Sequence, residues 1–222
     1  MEDWLPFVII GVMIVGVGGI IYWSYLADKK RTEQLAENAE AMGLTFIPDG
    51  GDGLLHRFSG FQLFNRGRSR RIRNVITGDA GDVAIAIFDY RFTTGSGKHK
   101  TTHNQTIVSL SSSNFHAPDL YLRPEGFFDK IGSAIGFQDI DFESHPEFSR
   151  LFVLKGSNEM AIRQFMKPAV LELLETKQGI CLEADGNTMF FYKNRTSAKP
   201  DQIKDLLAEA YEIYNCVTDE MV

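Results

Sequence analysis

The sequence predicts an α+β protein: an N-terminal transmembrane helix and helical stalk, then a mostly antiparallel sheet domain with flanking helices. Three observations predict it. An uncharged apolar run, "WLPFVIIGVMIVGVGGIIYWSYLA", extends from Trp4 to Ala27. Short runs rich in β-branched and aromatic residues follow, separated by Gly-Asp turns such as "GDAGD" at 78–82. The best-patterned soluble helix comes last, with Ile203, Leu206, Leu207, Ala210, Tyr211 and Tyr214 on one face.

Taken in order, residues 1–27 read as the membrane span. Twenty-odd apolar residues at about 1.5 Å each reach across roughly 30 Å of hydrocarbon. Trp4 at one end and Tyr22, Trp23 and Tyr25 at the other have the chemistry of interfacial aromatic belts. A cleaved signal peptide fits poorly, because a positive n-region and a small-residue cleavage site are both missing. Glu2 and Asp3 precede the run, whereas Lys29, Lys30 and Arg31 follow it. That bias places the N-terminus outside and the domain in the cytoplasm. The glycines in the span are never four apart, so there is no GxxxG face. Gly11 and Gly18, seven apart, would still allow close approach of another helix.

Residues 28–43 read as a helical stalk in which Leu35, Ala39 and Met42 form one apolar stripe before Gly43 ends it. Residues 44–116 form a strand-rich half, with strands expected at 44–48, 61–64, 71–77, 83–92 and 105–112. Residues 117–222 form a mixed half. There a helix is expected to open at Pro124 and run through Phe127, Phe128 and Ile131. A strand follows at 150–156, then a helix capped by Ser157 that Pro168 breaks or kinks. A hairpin turns around Asp185-Gly186-Asn187. Whether 44–222 is one domain or two stays open at this level.

Composition excludes some functions. A net charge of −6 argues against general nucleic-acid binding. Cys181 and Cys216 lack metal or redox spacing and suit buried thiols in a reducing compartment. The "GSGK" at 95–98 lacks the P-loop pattern, since Phe92 stands where the first glycine belongs and His99 where the magnesium-binding hydroxyl belongs. It reads as the tip of a long hairpin, and no nucleotide or other cofactor is expected.

Two clusters remain. Asp139, Asp141, Glu143 and His145 alternate, so an extended segment would point all four to one side, a possible metal or acid–base site. The interleaved Ile140 and Phe142 explain the same alternation as strand amphipathicity. Arg66, Arg68, Arg70, Arg71 and Arg73 put five guanidinium groups into eight residues. Beside a membrane they suit anionic lipid or an acidic partner, and the plain alternative is a solvated loop paired with the protein's own carboxylates.

The apolar span together with "FQLFNRGRSRRIRNVITG", "FDYRFTTGSGKHKTTHNQTIV", "LRPEGFFDKIG" and "GFQDIDFESHPEFSRLFVLKG" resembles a family of bacterial single-pass membrane proteins with a cytoplasmic α+β domain. The resemblance implies an inner-membrane location and no activity or site residue. The expectation is therefore a non-catalytic accessory, assembly or scaffolding subunit of a membrane protein complex, in contact with membrane lipids. The competing expectations are an enzyme or ligand-binding domain using the acidic run, or a lipid-contacting domain using the arginines.

Overall fold

The computed structural model describes residues 5–126 and 139–219. The apolar run and the charged segment after it form one unbroken helix, α1 (Leu5–Ala41). Every residue from Ile10 to Lys30 is exposed, Tyr22, Trp23 and Tyr25 included. It is the one helix among the described residues long and apolar enough to cross a membrane. Trp4 lies outside those residues.

The polar end of α1 is part of the folded domain. Leu35 and Ala39 are buried in the main core, and Met42 packs against it. Gly43 ends the helix with a positive φ of 70°. Its N–H donates to the Glu40 carbonyl at 2.9 Å and that of Leu44 to the Ala39 carbonyl at 2.8 Å, the paired bonds of a Schellman stop.

The remaining chain builds one eight-stranded sheet. Its strands are β1 (Thr45–Ile47), β2 (Arg68–Ala80), β3 (Val83–Thr94), β4 (Thr101–Ser111), β5 (Ala117–Pro124), β6 (Phe152–Gly156), β7 (Ile180–Gly186) and β8 (Thr188–Lys193). The spatial order is β1-β2-β3-β4-β8-β7-β5-β6, with every pair antiparallel. Because β4 pairs with β8, one hydrogen-bonded ladder runs through both the 44–116 and 117–222 stretches.

Helices cover both faces. On one lie the end of α1, α4 (Pro146–Leu151), α5 (Glu159–Phe165), α6 (Pro168–Glu175) and α7 (Ile203–Asp219). On the other lie α2 (Gly51–Arg57) and α3 (Gln62–Asn65). Strand alternation feeds both cores: Val83, Ile85 and Ile87 of β3 join the first, Phe88, Tyr90 and Phe92 the second. The second core is aromatic, with Phe58 meeting Phe190 edge-on at 4.8 Å between ring centroids.

Several elements differ from the sequence expectation. The run at 61–64 is helical (α3), because adjacent Leu63 and Phe64 both turn inward, which a period-two strand cannot do. Pro124 ends β5 instead of opening a helix. Phe127, Phe128 and Ile131, the rest of that expected helix, lie outside the described residues. Residues 150–151 belong to α4, so the strand there starts at Phe152. The cap of α5 is Asn158, whose side-chain oxygen accepts from the Ala161 N–H at 3.1 Å. Pro168 occupies the first turn of α6, where its missing N–H costs nothing.

The packing of α1 yields a test. Ala39 is fully buried, whereas Glu37 is exposed on the same helix. Ala39→Leu is expected to destabilise the full-length protein by about 1–3 kcal/mol through overpacking, and Glu37→Leu to change it little. Thermal unfolding in detergent measures both.

Candidate functional site

The face of the sheet under α1 changes character along β3. Beyond Ile87 the next positions on that face are the half-buried Asp89 and the exposed Arg91. On β2, Arg71 and Arg73 flank the buried Ile72, and the register sets Arg71 opposite Arg91 and Arg73 opposite Asp89. A bulge follows at Asn74, which takes a positive φ of 51°. It brings the Asn74 side chain to the helix face, where it donates to Asp89 at 2.9 Å and accepts from the Thr32 hydroxyl at 3.0 Å.

Arg31 is the centre of this contact. Its guanidinium donates to both Asp89 oxygens, at 2.9 and 2.7 Å, to the Ala198 carbonyl at 2.7 Å and to the Thr106 hydroxyl at 3.3 Å. The Thr106 hydroxyl donates to Asp89 at 3.0 Å and accepts from the Ala198 N–H at 3.0 Å. One forked cation therefore joins α1, β3, β4 and the segment before α7. A second tie lies further along, where the Asn38 amide donates to the Pro200 carbonyl at 2.5 Å.

Beside this lock opens a polar cleft of about 470 Å³. Ser24, Asp28 and Arg31 form its helix wall, and Arg71, Arg73, Arg91, Thr102 and Asn104 line the sheet side. Four guanidinium groups face two carboxylates, Asp28 and Asp89. Asp89 is engaged by Arg31. The exposed Asp49 stands 3.5 Å from Arg71 and 3.6 Å from Arg73, a shared contact of little strength at the surface. Arg91 makes no ion pair among the described residues. The cleft thus carries uncompensated positive charge.

The cleft lies at the end of the domain nearest the apolar part of α1. Ile85 lines a groove with Met42, Asp89 binds Arg31, and Arg91 shares the cleft with Ser24 and Asp28. Strand β3 therefore runs antiparallel to α1. The β3–β4 hairpin tip, which holds "GSGK" and the exposed Lys98 and Lys100, continues in the same direction. The hairpin reading of that stretch agrees with its geometry: two antiparallel strands joined through a short 3₁₀ turn at Gly97–His99.

The other arginines have separate places. Arg66 is buried, with its guanidinium 4.8 Å from the Tyr121 ring centroid and close to Glu183. Arg70 donates to the Phe64 carbonyl, and Arg68 is exposed. Lys29 reaches Glu33 at 3.8 Å, and Lys30 is exposed.

Glu183 is wholly buried on β7. It accepts from the Leu63 N–H at 3.1 Å and from the Tyr192 hydroxyl at 2.9 Å. Burial pushes its carboxyl up, while Arg66 and these donors hold it down. The group fastens α3 to the sheet and reads as structural.

The acidic run lies along β6. Asp139 accepts from the Leu154 N–H at 2.9 Å and the Ile140 N–H donates to the Leu154 carbonyl at 2.9 Å. Burial raises the Asp139 carboxyl above its usual range. Ile140 and Phe142 enter the core, and Arg163 binds the Asp141 carbonyl at 2.8 Å. Glu143 is exposed, and His145 contacts the Ser144 hydroxyl at 3.0 Å. His103 is buried, 2.7 Å from the Thr94 hydroxyl.

Sequence reasoning passed over Asp89, Arg91 and Asn74. The signal was available in "FDYRF", where charges occupy alternate places of a strand whose other places are aromatic. No known family's sequence model matches the chain, and no curated protein matches it. Among solved structures, the crystal structure of the mycobacterial trehalose monomycolate transport factor A is similar in fold. It has a TM-score of 0.59 at 14% identity, over 84% of this chain and 93% of that one. At that identity the likeness is one of fold.

Two tests follow. Arg31→Ala leaves Asp89 part-buried without its fork, so it is expected to cost about 2–3 kcal/mol in thermal unfolding and to speed proteolysis near residues 42–50. Arg31→Lys restores less than half, lacking the planar fork. Glu183→Ala strands Arg66 and the Leu63 N–H and is expected to cost about 3–5 kcal/mol. The double variant Arg66→Met with Glu183→Leu recovers most of that loss, because no buried charge remains unpaired.

Proposed function

We propose that this chain is a non-catalytic, membrane-anchored accessory, assembly or scaffolding subunit of a larger bacterial membrane protein complex. The observation that carries this reading is the unbroken course of α1. From Ile10 to Ala27 its apolar part is exposed, and the same helix enters the domain core without a linker and is locked there by Arg31. A helix so coupled holds the domain at a set height and tilt above the bilayer, which suits a part that must present one surface to neighbours. A transport factor with the same fold supports an accessory role.

In this reading α1 spans the inner membrane with its N-terminus outside. The basic Lys29 and Lys30 mark the cytoplasmic end, and Tyr22, Trp23 and Tyr25 lie in the interface. Gentle detergent extraction of the tagged full-length protein, with sizing, cross-linking and identification of co-purifying chains, tests it. The expected result is a stoichiometric membrane complex that a four-residue Gly-Ser insertion after Ala27 disrupts without unfolding the domain. A lone monomer or homo-oligomer overturns the reading.

A further inference from the structure

We propose that the cleft between α1 and strands β2–β4 binds the phosphate of an anionic phospholipid headgroup, with Arg71, Arg73 and Arg91 as its ligands. The inference rests on the anchored reading and adds a specific lipid site to it.

Three independent features point there. First, Arg71 and Arg91 are direct cross-strand partners in the β2–β3 register. Like charges so placed repel and destabilise a sheet, and an anion held between them removes the penalty. Guanidinium forks match phosphate oxygens in pairs, so the residue type suits the ligand. Second, the cavity is large enough for a headgroup, at about 470 Å³, and adds neutral donors from Thr102 and Asn104. Third, its position selects a lipid over a free anion. Ser24, in the cleft wall, belongs to the apolar run, with Trp23 and Tyr25 exposed beside it. Asp28 lies about one helical turn further on, roughly 6 Å along the axis, which is the depth of the headgroup layer. A phosphate seated here has acyl chains that run alongside α1 into the hydrocarbon.

The rest of this end of the domain fits the same surface. Lys98 and Lys100 at the hairpin tip and Arg68 at the start of β2 are all exposed. They add general attraction to an anionic leaflet, whereas the cleft adds selectivity.

Native mass spectrometry of the full-length protein in detergent tests the proposal, with dioleoyl phosphatidylglycerol and dioleoyl phosphatidylcholine as the added lipids. The expected result is preferential retention of phosphatidylglycerol. Arg71→Gln with Arg91→Gln should lower that retention roughly thirtyfold, each charge near an anionic headgroup being worth about a factor of five. Arg91→Gln alone should lower it about fivefold and serves if the double variant does not fold. Arg150→Gln with Lys204→Gln removes two exposed charges outside the cleft and should leave retention unchanged. Equal retention of the two lipids, or equal loss in both charge-removal variants, overturns the proposal. Displacement of the lipid by equimolar glycerol 3-phosphate overturns it in favour of a free phosphate site. Carbonate extraction of membranes separates the two readings, since release of the wild-type chain sinks the anchor itself. Retention in the membrane without lipid selectivity sinks only the site.

Discussion

The fork from Arg31 to Asp89 is the contact on which the arrangement of this molecule depends. Both side chains are about four-fifths shielded, at 22% and 20% exposure, so neither charge is fully solvated. Such a pair is stable only where each partner's remaining hydrogen-bonding capacity is met. Here Thr106, Asn74 and the Ala198 carbonyl meet it. The geometry that satisfies the pair also fixes the angle and register of α1 on the sheet. Leu35 and Ala39 then fall into the core one and two turns later, and the Schellman stop at Gly43 turns the chain directly into β1.

From that constraint follows the polar character of the cleft. A sheet face covered by helices is ordinarily apolar along its whole length. In this sheet the α1 side is apolar at Val83, Ile85 and Ile87 and charged from Asp89 onward. The opposite side stays apolar through Phe88, Tyr90 and Phe92, sealed by α2 and α3. One strand therefore serves a hydrophobic core on one face and a basic cleft on the other. The buried Glu183 and Arg66 keep α3 seated over the aromatic side, so that neither face opens to the other.

Likeness to a transport factor at 14% identity speaks to architecture, and architecture of this kind hosts more than one task. The features that bear on this chain's task are local: a helix coupled to its domain without slack, and guanidinium groups gathered where that helix leaves its apolar stretch. Both features are consequences of where β3 lies against α1.

The amino-acid sequence by itself determined the long apolar helix, its stop at Gly43, the hairpin around "GSGK" and the amphipathic last helix. Each is written in local terms: a run of uncharged residues, a glycine at the left-handed position, and periods of two or 3.6. It also displayed five arginines as one cluster. Tertiary structure alone divided them, sending Arg66 inward to Tyr121 and Glu183, tying Arg70 to the Phe64 carbonyl, and leaving Arg71 and Arg73 beside a cleft completed by Arg91. The same holds for Arg31, which reads as one more flanking charge until Asp89, 58 residues away, closes on it. It holds again for "FQLF", whose composition favours a strand while burial of both Leu63 and Phe64 requires a helix. Contacts between distant segments leave no local period, so register, bulge and strand order decide them.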